Sequence, residues 1–169
     1  MTKQVVEENF SDSLRFIVNG MLGNVSRWLR MFGYDVMYTP EASDEQLLEI
    51  ARKERRILLT RDFELYRRAM LNGIQAFFIA STDIKDALSS IIKRFNIKAE
   101  INPERSRCPS CNSPLSKAKL EEIAHKVPKS VLERYNEFWI CTNPSCGKVY
   151  WRGSHWRNII KTLHAIENQ

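Results

Sequence analysis

The chain has 169 residues, 43% of them hydrophobic and 27% charged, with 26 Lys and Arg against 20 Asp and Glu. That length and balance exclude a disordered polymer and leave room for one cored domain plus a small accessory module. The longest apolar runs are strand-sized, and the first ten residues (MTKQVVEENF) carry neither an apolar signal core nor a transit-peptide bias, so a cytoplasmic location and no membrane contact are expected.

A short apolar run and a 3.6-residue period alternate through the first hundred positions. "LRFIVN" reads as a strand, "NVSRWLRMFG" as a helix with Val25, Trp28, Leu29 and Phe32 on one face, and "YDVMYT" as a second strand. "SDEQLLEIARKE" opens with Ser43 and, three residues on, Gln46, the pattern of a capping box. "RRILLT" is a third strand, "FELYRRAMLNG" a helix closed by Gly73, "QAFFIA" a fourth strand and "IKDALSSIIKRFN" a fourth helix. Strands alternating with helices imply a parallel sheet covered on both faces, because parallel neighbours need crossovers and the crossovers pack on the sheet. The expected fold is therefore a doubly wound α/β domain over residues 1–102. "INPERSR" marks a linker, and residues 103–169 form a second module ending in a helix, "WRNIIKTLHAIEN". Charge divides the same way: 15 Lys/Arg against 14 Asp/Glu in residues 1–102, but 11 against 6 beyond. An excess concentrated on one module favours a polyanionic partner.

All four cysteines fall in that second module, as Cys108-x2-Cys111 and Cys141-x4-Cys146. Two such pairs suit a tetrahedral Zn2+, and a module with little core of its own gains folding energy from the metal. Two disulfides or a redox pair are the alternatives, which a reducing compartment disfavours. Four thiolates leave no open position, so the expected zinc is structural. The 29 residues between the pairs are expected to hold a hairpin and an inserted helix.

Three acidic residues fall where the fold predicts the carboxyl edge of the sheet: Asp44 opening the second helix, Asp62 after "ILLT" and Asp83 after "FFIA". Asn19 ends the first strand at the same edge. Converging there, the carboxylates could surround Mg2+ or Mn2+, hard cations that prefer oxygen. Each Asp has a plainer use as a helix cap. Residue types and spacing lead no further than a candidate for metal-dependent phosphoryl transfer.

"FIVNGMLGNVSRWLRMFGYDV", "SDEQLLEIA" and "RRILLTRD", followed by "RCPSC" and "CGKVYWRGSHW", resemble the PIN-like ribonucleases, specifically the Mut-seven C-terminal RNase subgroup, in which a PIN-type domain carries a zinc ribbon. The resemblance implies a divalent-metal nuclease acting on RNA, leaving a 5′-phosphate and a 3′-hydroxyl. It implies metal-binding roles for Asp44 and Asp62, and a fourth acidic position at Asp83. Members place an Asp where this chain has Asn19. An amide oxygen can still coordinate but brings no charge, so a weakened metal site is expected, whether by an engineered inactivating substitution or in a natural member with reduced activity. Arg27, Arg30 and Arg61 are candidates to neutralise the phosphate, with surface solvation or helix ion pairs as their plainer use.

"GKVYWRGSHWRNIIK" interleaves Lys148, Arg152, Arg157 and Lys161 with Tyr150, Trp151, His155 and Trp156. Single-stranded RNA is gripped by that mixture, cations on phosphates and rings under bases. The plainer reading makes the aromatics the ribbon's small core. Lys148, Arg152, His155 and Arg157 are the RNA-contact candidates here. A non-catalytic RNA-binding module associated with ribosomal or transfer RNA is the competing function. Either a monomer or a homodimer is compatible with the pattern.

Overall fold

In β1 (Arg15–Val18) and β3 (Ile57–Thr60) almost every side chain is buried, and they form the centre of a four-stranded sheet with β2 (Asp35–Tyr38) and β4 (Ala76–Phe78). The computed structural model describes residues 14–167; the N-terminal stretch read above for targeting signals lies outside them. The strand order is β2-β1-β3-β4, with every pairing parallel. Successive residues of a strand point to opposite faces, and both faces here are apolar. Phe16, Val18, Ile57 and Leu59 join α1 (Gly23–Met31) and α4 (Ile84–Phe95) in one core. Ile17 and Leu58 join α2 (Asp44–Glu54) and α3 (Phe63–Leu71) in another. The expected doubly wound α/β layering is thus present.

Local chemistry sets the helix ends. Ser43 and Gln46 form the expected reciprocal cap on α2, with bonds of 3.3 and 2.9 Å. Asp62 Oδ1 accepts from Leu65 N at 3.0 Å and Asp83 Oδ1 from Lys85 N at 2.8 Å, each capping the helix that follows. A tight turn at Gly20–Leu22 precedes α1, which ends before Gly33. Gly33 has φ +98°, and a Cβ there would meet the Arg105 carbonyl oxygen at 2.9 Å, so only glycine fits this close approach.

Residues beyond the linker build a three-stranded antiparallel ribbon, β5 (Leu115–Lys117), β6 (Trp139–Cys141) and β7 (Val149–Tyr150), in that order. The insertion between β5 and β6 contains two short helices, α5 (Leu120–Ile123) and α6 (Lys129–Leu132), rather than one. Ile123, Val127 and Phe138 give it a separate core. The last helix, α7 (Ser154–Glu167), follows the ribbon in sequence but packs against α4, with Leu163 and Ile166 in the core of the α1/α4 face. Among the described residues no helix is long and apolar enough to cross a membrane.

Candidate active site and metal centre

Cys108 and Cys111 lie in the loop before β5, Cys141 ends β6, and Cys146 lies in the turn to β7. Backbone bonds fold each pair into a knuckle: Asn112 N donates to Cys108 O at 2.8 Å, and Gly147 N to Asn143 O at 2.9 Å. The sulfurs of Cys108 and Cys146 are 3.7 Å apart and those of Cys111 and Cys141 3.3 Å, with all four within 4.8 Å of one another. These are not disulfide distances. A tetrahedron with Zn–S bonds of about 2.3 Å has edges of about 3.8 Å, so the four thiols fit a metal such as zinc. The Tyr150 hydroxyl lies 3.1 Å from Cys108 Sγ. Burial pushes the Cys111, Cys141 and Cys146 thiols up, yet hydrogen bonds from Ser113 overcome it at Cys111 and hold that thiol down at about 6, while Cys141 and Cys146 are raised. Cys111 therefore carries negative charge more readily, and a bound cation would offset the cost of deprotonating Cys141 and Cys146.

Arg30 requires a correction. The sequence suggested a phosphate-facing cation, but α1 runs back from the carboxyl edge and places Arg30 in its last turn, 4% exposed. Its Nε and Nη2 donate to Val36 O at 3.0 and 2.8 Å, and Nη1 donates to Pro109 O at 3.0 Å and Ser110 O at 3.3 Å. Arg30 therefore ties the first cysteine knuckle to the sheet. Burial pulls its pKa down, while Cys108, Cys111 and Asp35 pull it back up. Asn112 makes a second tie: its Oδ1 accepts from Val36 N at 3.0 Å and its Nδ2 donates to Asp35 Oδ1 at 2.7 Å. Since Asp35 and Val36 begin β2, the ribbon docks at the amino end of the sheet's edge strand.

The carboxyl edge is organised differently. Strand order reverses between β1 and β3, and ligands of open α/β sheets collect at such a switch point. Asn19 follows β1 there, 8% exposed, and its Oδ1 is buried without a hydrogen-bond partner. The pairing of Val18 with Tyr38 sets Asn19 beside Thr39, whose Oγ1 is likewise buried and unpartnered. The pairing of Val18 with Leu59 brings Thr60 to the same edge, and Thr60 Oγ1 accepts from Asp62 N at 2.9 Å. Across α2 and α3, Arg68 Nη1 lies 3.1 Å from Asp44 Oδ2 and Nη2 2.8 Å from Glu45 Oε1. Asp62 also adds to the field that raises the Arg68 pKa, behind the Glu45 hydrogen bond. Of the sequence candidates, Asp44 pairs with this guanidinium, while Asp62 acts on it only through its field.

Asp83 is exposed and occupied as a cap, and among the described residues the cysteines alone form a metal-ready group of three or more ionisable ligands. Arg27 is exposed on α1 and Arg61 is half-buried after β3. Lys148 Nζ is 2.8 Å from Ser110 Oγ, and the Arg152 guanidinium lies over the rings of Trp139 and Trp156 at 5.5 and 5.4 Å. His155 and Arg157 are exposed in the first turns of α7. Sequence reasoning missed Arg68, Glu45 and Thr39. Arg68 had no local signal, because it meets Asp44 only when α2 and α3 pack on the same sheet face. Thr39 was legible as the neighbour of Asn19 once β1 and β2 were taken as parallel.

Neither the comparison with curated proteins nor that with solved structures gives a match. The family model described as the Mut7-C RNAse domain matches residues 14–163, a span that covers the sheet, the switch point and the cysteine ribbon. On that match the chain belongs to the Mut7-C RNAse domain family, a family of ribonucleases.

Proposed function

We propose that the chain is a ribonuclease of PIN-like type that uses a divalent cation at the carboxyl edge, held by Asn19 Oδ1, Asp44 and Asp62. The observation that carries this reading is the buried Asn19 oxygen with no partner, at the switch point of the sheet. A buried acceptor without a donor is costly, and a cation satisfies it. The acidic surroundings fit, since Asp44 and Glu45 already hold a cation of the chain's own, Arg68. When bound, Mg2+ or Mn2+ would lower the pKa of water and polarise a phosphate oxygen. The chain's residues would position the strand, with Arg61 beside Asp62 to neutralise phosphate charge. Asn19 contributes no charge, so metal affinity and turnover are weak.

The test compares this chain with its Asn19→Asp variant on labelled RNA, with Mn2+ or Mg2+ and with EDTA. Cleavage that needs metal and rises ten-fold or more in the variant supports the reading; no cleavage by either refutes it. A non-catalytic RNA-binding module is the second reading, favoured by Arg68 standing among the acidic groups and by the absence of a three-carboxylate cluster among the described residues.

A further inference from the structure

Lys148, Ser110, Tyr150 and Cys108 make a line of polar contacts on one side of the cysteine cluster. Lys148 Nζ donates to Ser110 Oγ at 2.8 Å. Ser110, inside the first knuckle, hydrogen-bonds to the Tyr150 hydroxyl, which lies 3.1 Å from Cys108 Sγ. Lys148 and Tyr150 are two residues apart at β7, so the strand period turns both toward that knuckle. Pairing with β6 fixes the placement, as Cys141 N donates to Lys148 O at 2.9 Å. Cys108 is 0% exposed, so water cannot offer its sulfur a donor.

We propose that these groups form a hydrogen-bond relay that stabilises the Cys108 thiolate when the cysteines hold zinc, with Tyr150 and Lys148 as positioning residues of the metal centre. The inference rests on the fit of the four thiols to zinc and is independent of the nuclease reading. A thiolate that ligates a metal has no proton and only accepts. The one proton of the Tyr150 hydroxyl therefore points at sulfur, which leaves the phenolic oxygen to accept from Ser110. Ser110 gives its only proton there, and its own oxygen accepts from the Lys148 ammonium, a group that only donates. Every donor then has an acceptor. The chain starts on a cation and ends on an anion, an order in which successive hydrogen bonds polarise one another. Groups that hydrogen-bond to metal ligands orient them and hold the metal more tightly. Lys148 and Tyr150, read from the sequence as a phosphate contact and a ring for bases or core, act here through Cys108.

The test measures zinc retention by the full chain against a chromogenic chelator, in the parent, Tyr150→Phe, Lys148→Met and the double variant. Tyr150→Phe keeps the ring and removes the last donor; it is expected to weaken zinc binding about ten-fold or more. Lys148→Met is expected to weaken it about two-fold, and to have no further effect in the Tyr150→Phe background. With Co2+ in place of zinc, the sulfur-to-metal charge-transfer absorption of Tyr150→Phe should move to longer wavelength, because a thiolate without its donor releases electron density more easily. Weaker retention without that shift marks Tyr150 as packing alone and overturns the relay, as do unchanged retention or effects of the two substitutions that simply add. Lys148 is exposed, so Lys148→Met carries the test if Tyr150→Phe fails to fold: parent-like zinc retention there overturns the proposal. A parent chain that takes up no zinc overturns the metal centre and the relay together, and leaves the nuclease reading to the Asn19→Asp cleavage assay.

Discussion

Arg30 on α1 donates to the Pro109 carbonyl in the first cysteine knuckle at 3.0 Å, across seventy-nine positions of sequence. The same guanidinium holds Val36 O, so one side chain links helix, edge strand and cysteine knuckle. Arg30→Met keeps most of the volume but leaves these carbonyls without a donor. It is expected to lower stability by about 2–4 kcal/mol. Urea unfolding measures this, and competition with a chromogenic chelator should reveal weaker zinc retention in the same variant.

Zinc removal should melt the ribbon before the sheet. The ribbon's own core is small, resting on Ile123, Val127 and Phe138, whereas the sheet has two larger cores. Stripping the metal, or replacing Cys141 with Ser, is expected to erase the near-ultraviolet signal of Trp139 and Trp151 and retain most far-ultraviolet helix signal. Simultaneous loss of both signals would mean that the two parts unfold as one unit.

Acid sensitivity should trace to Asp35. Burial raises its carboxyl, but hydrogen bonds from Arg56, Asn112 and Arg15 outweigh that and hold it at about 2. The folded value lies below the unfolded one of about 3.9, so the stabilisation is complete above that and is lost as pH falls from about 4 to about 2. Its size is on the order of 2 kcal/mol. Asp35→Asn should be less stable than the parent at pH 7 and should flatten the pH dependence in that window, as urea midpoints between pH 2 and 7 would register.

Arg68 should compete with a bound dication. Its ion pairs with Asp44 and Glu45 are largely exposed, so Arg68→Gln is expected to change stability by less than about 1 kcal/mol. Removing a positive charge from the acidic edge should nevertheless tighten Mn2+ binding on the order of five-fold at low salt. Titration calorimetry in the Asn19→Asp background decides this, and unchanged affinity would place the cation elsewhere.

The layered sheet was legible because its signals are local: apolar runs such as "FIV" and "ILL", the Ser43 cap and Gly33 at a turn. The cysteine centre was legible for the same reason, as two short spacings each close a knuckle. Arg30 was misplaced although the parallel layout already sends α1 away from the carboxyl edge, which puts a residue seven positions after Gly23 at the far end of the helix. Its true partners, Pro109 and Ser110, are defined only by tertiary docking. Topology put Asp44 and Asp62 at the carboxyl edge, but it gave no sign of the Arg68 that pairs with Asp44, since an arginine six residues into a helix resembles any solvated cation.

The return of α7 to the α1/α4 face has a practical corollary for dissecting the molecule. Leu163 and Ile166 cover apolar surface belonging to a segment that finishes some sixty positions earlier. A fragment stopped at the linker would keep every strand of the parallel sheet yet display an uncovered greasy flank, inviting self-association. The cysteine ribbon is thus a loop excursion within one layer, and anyone trimming it out would need to splice the closing helix back on.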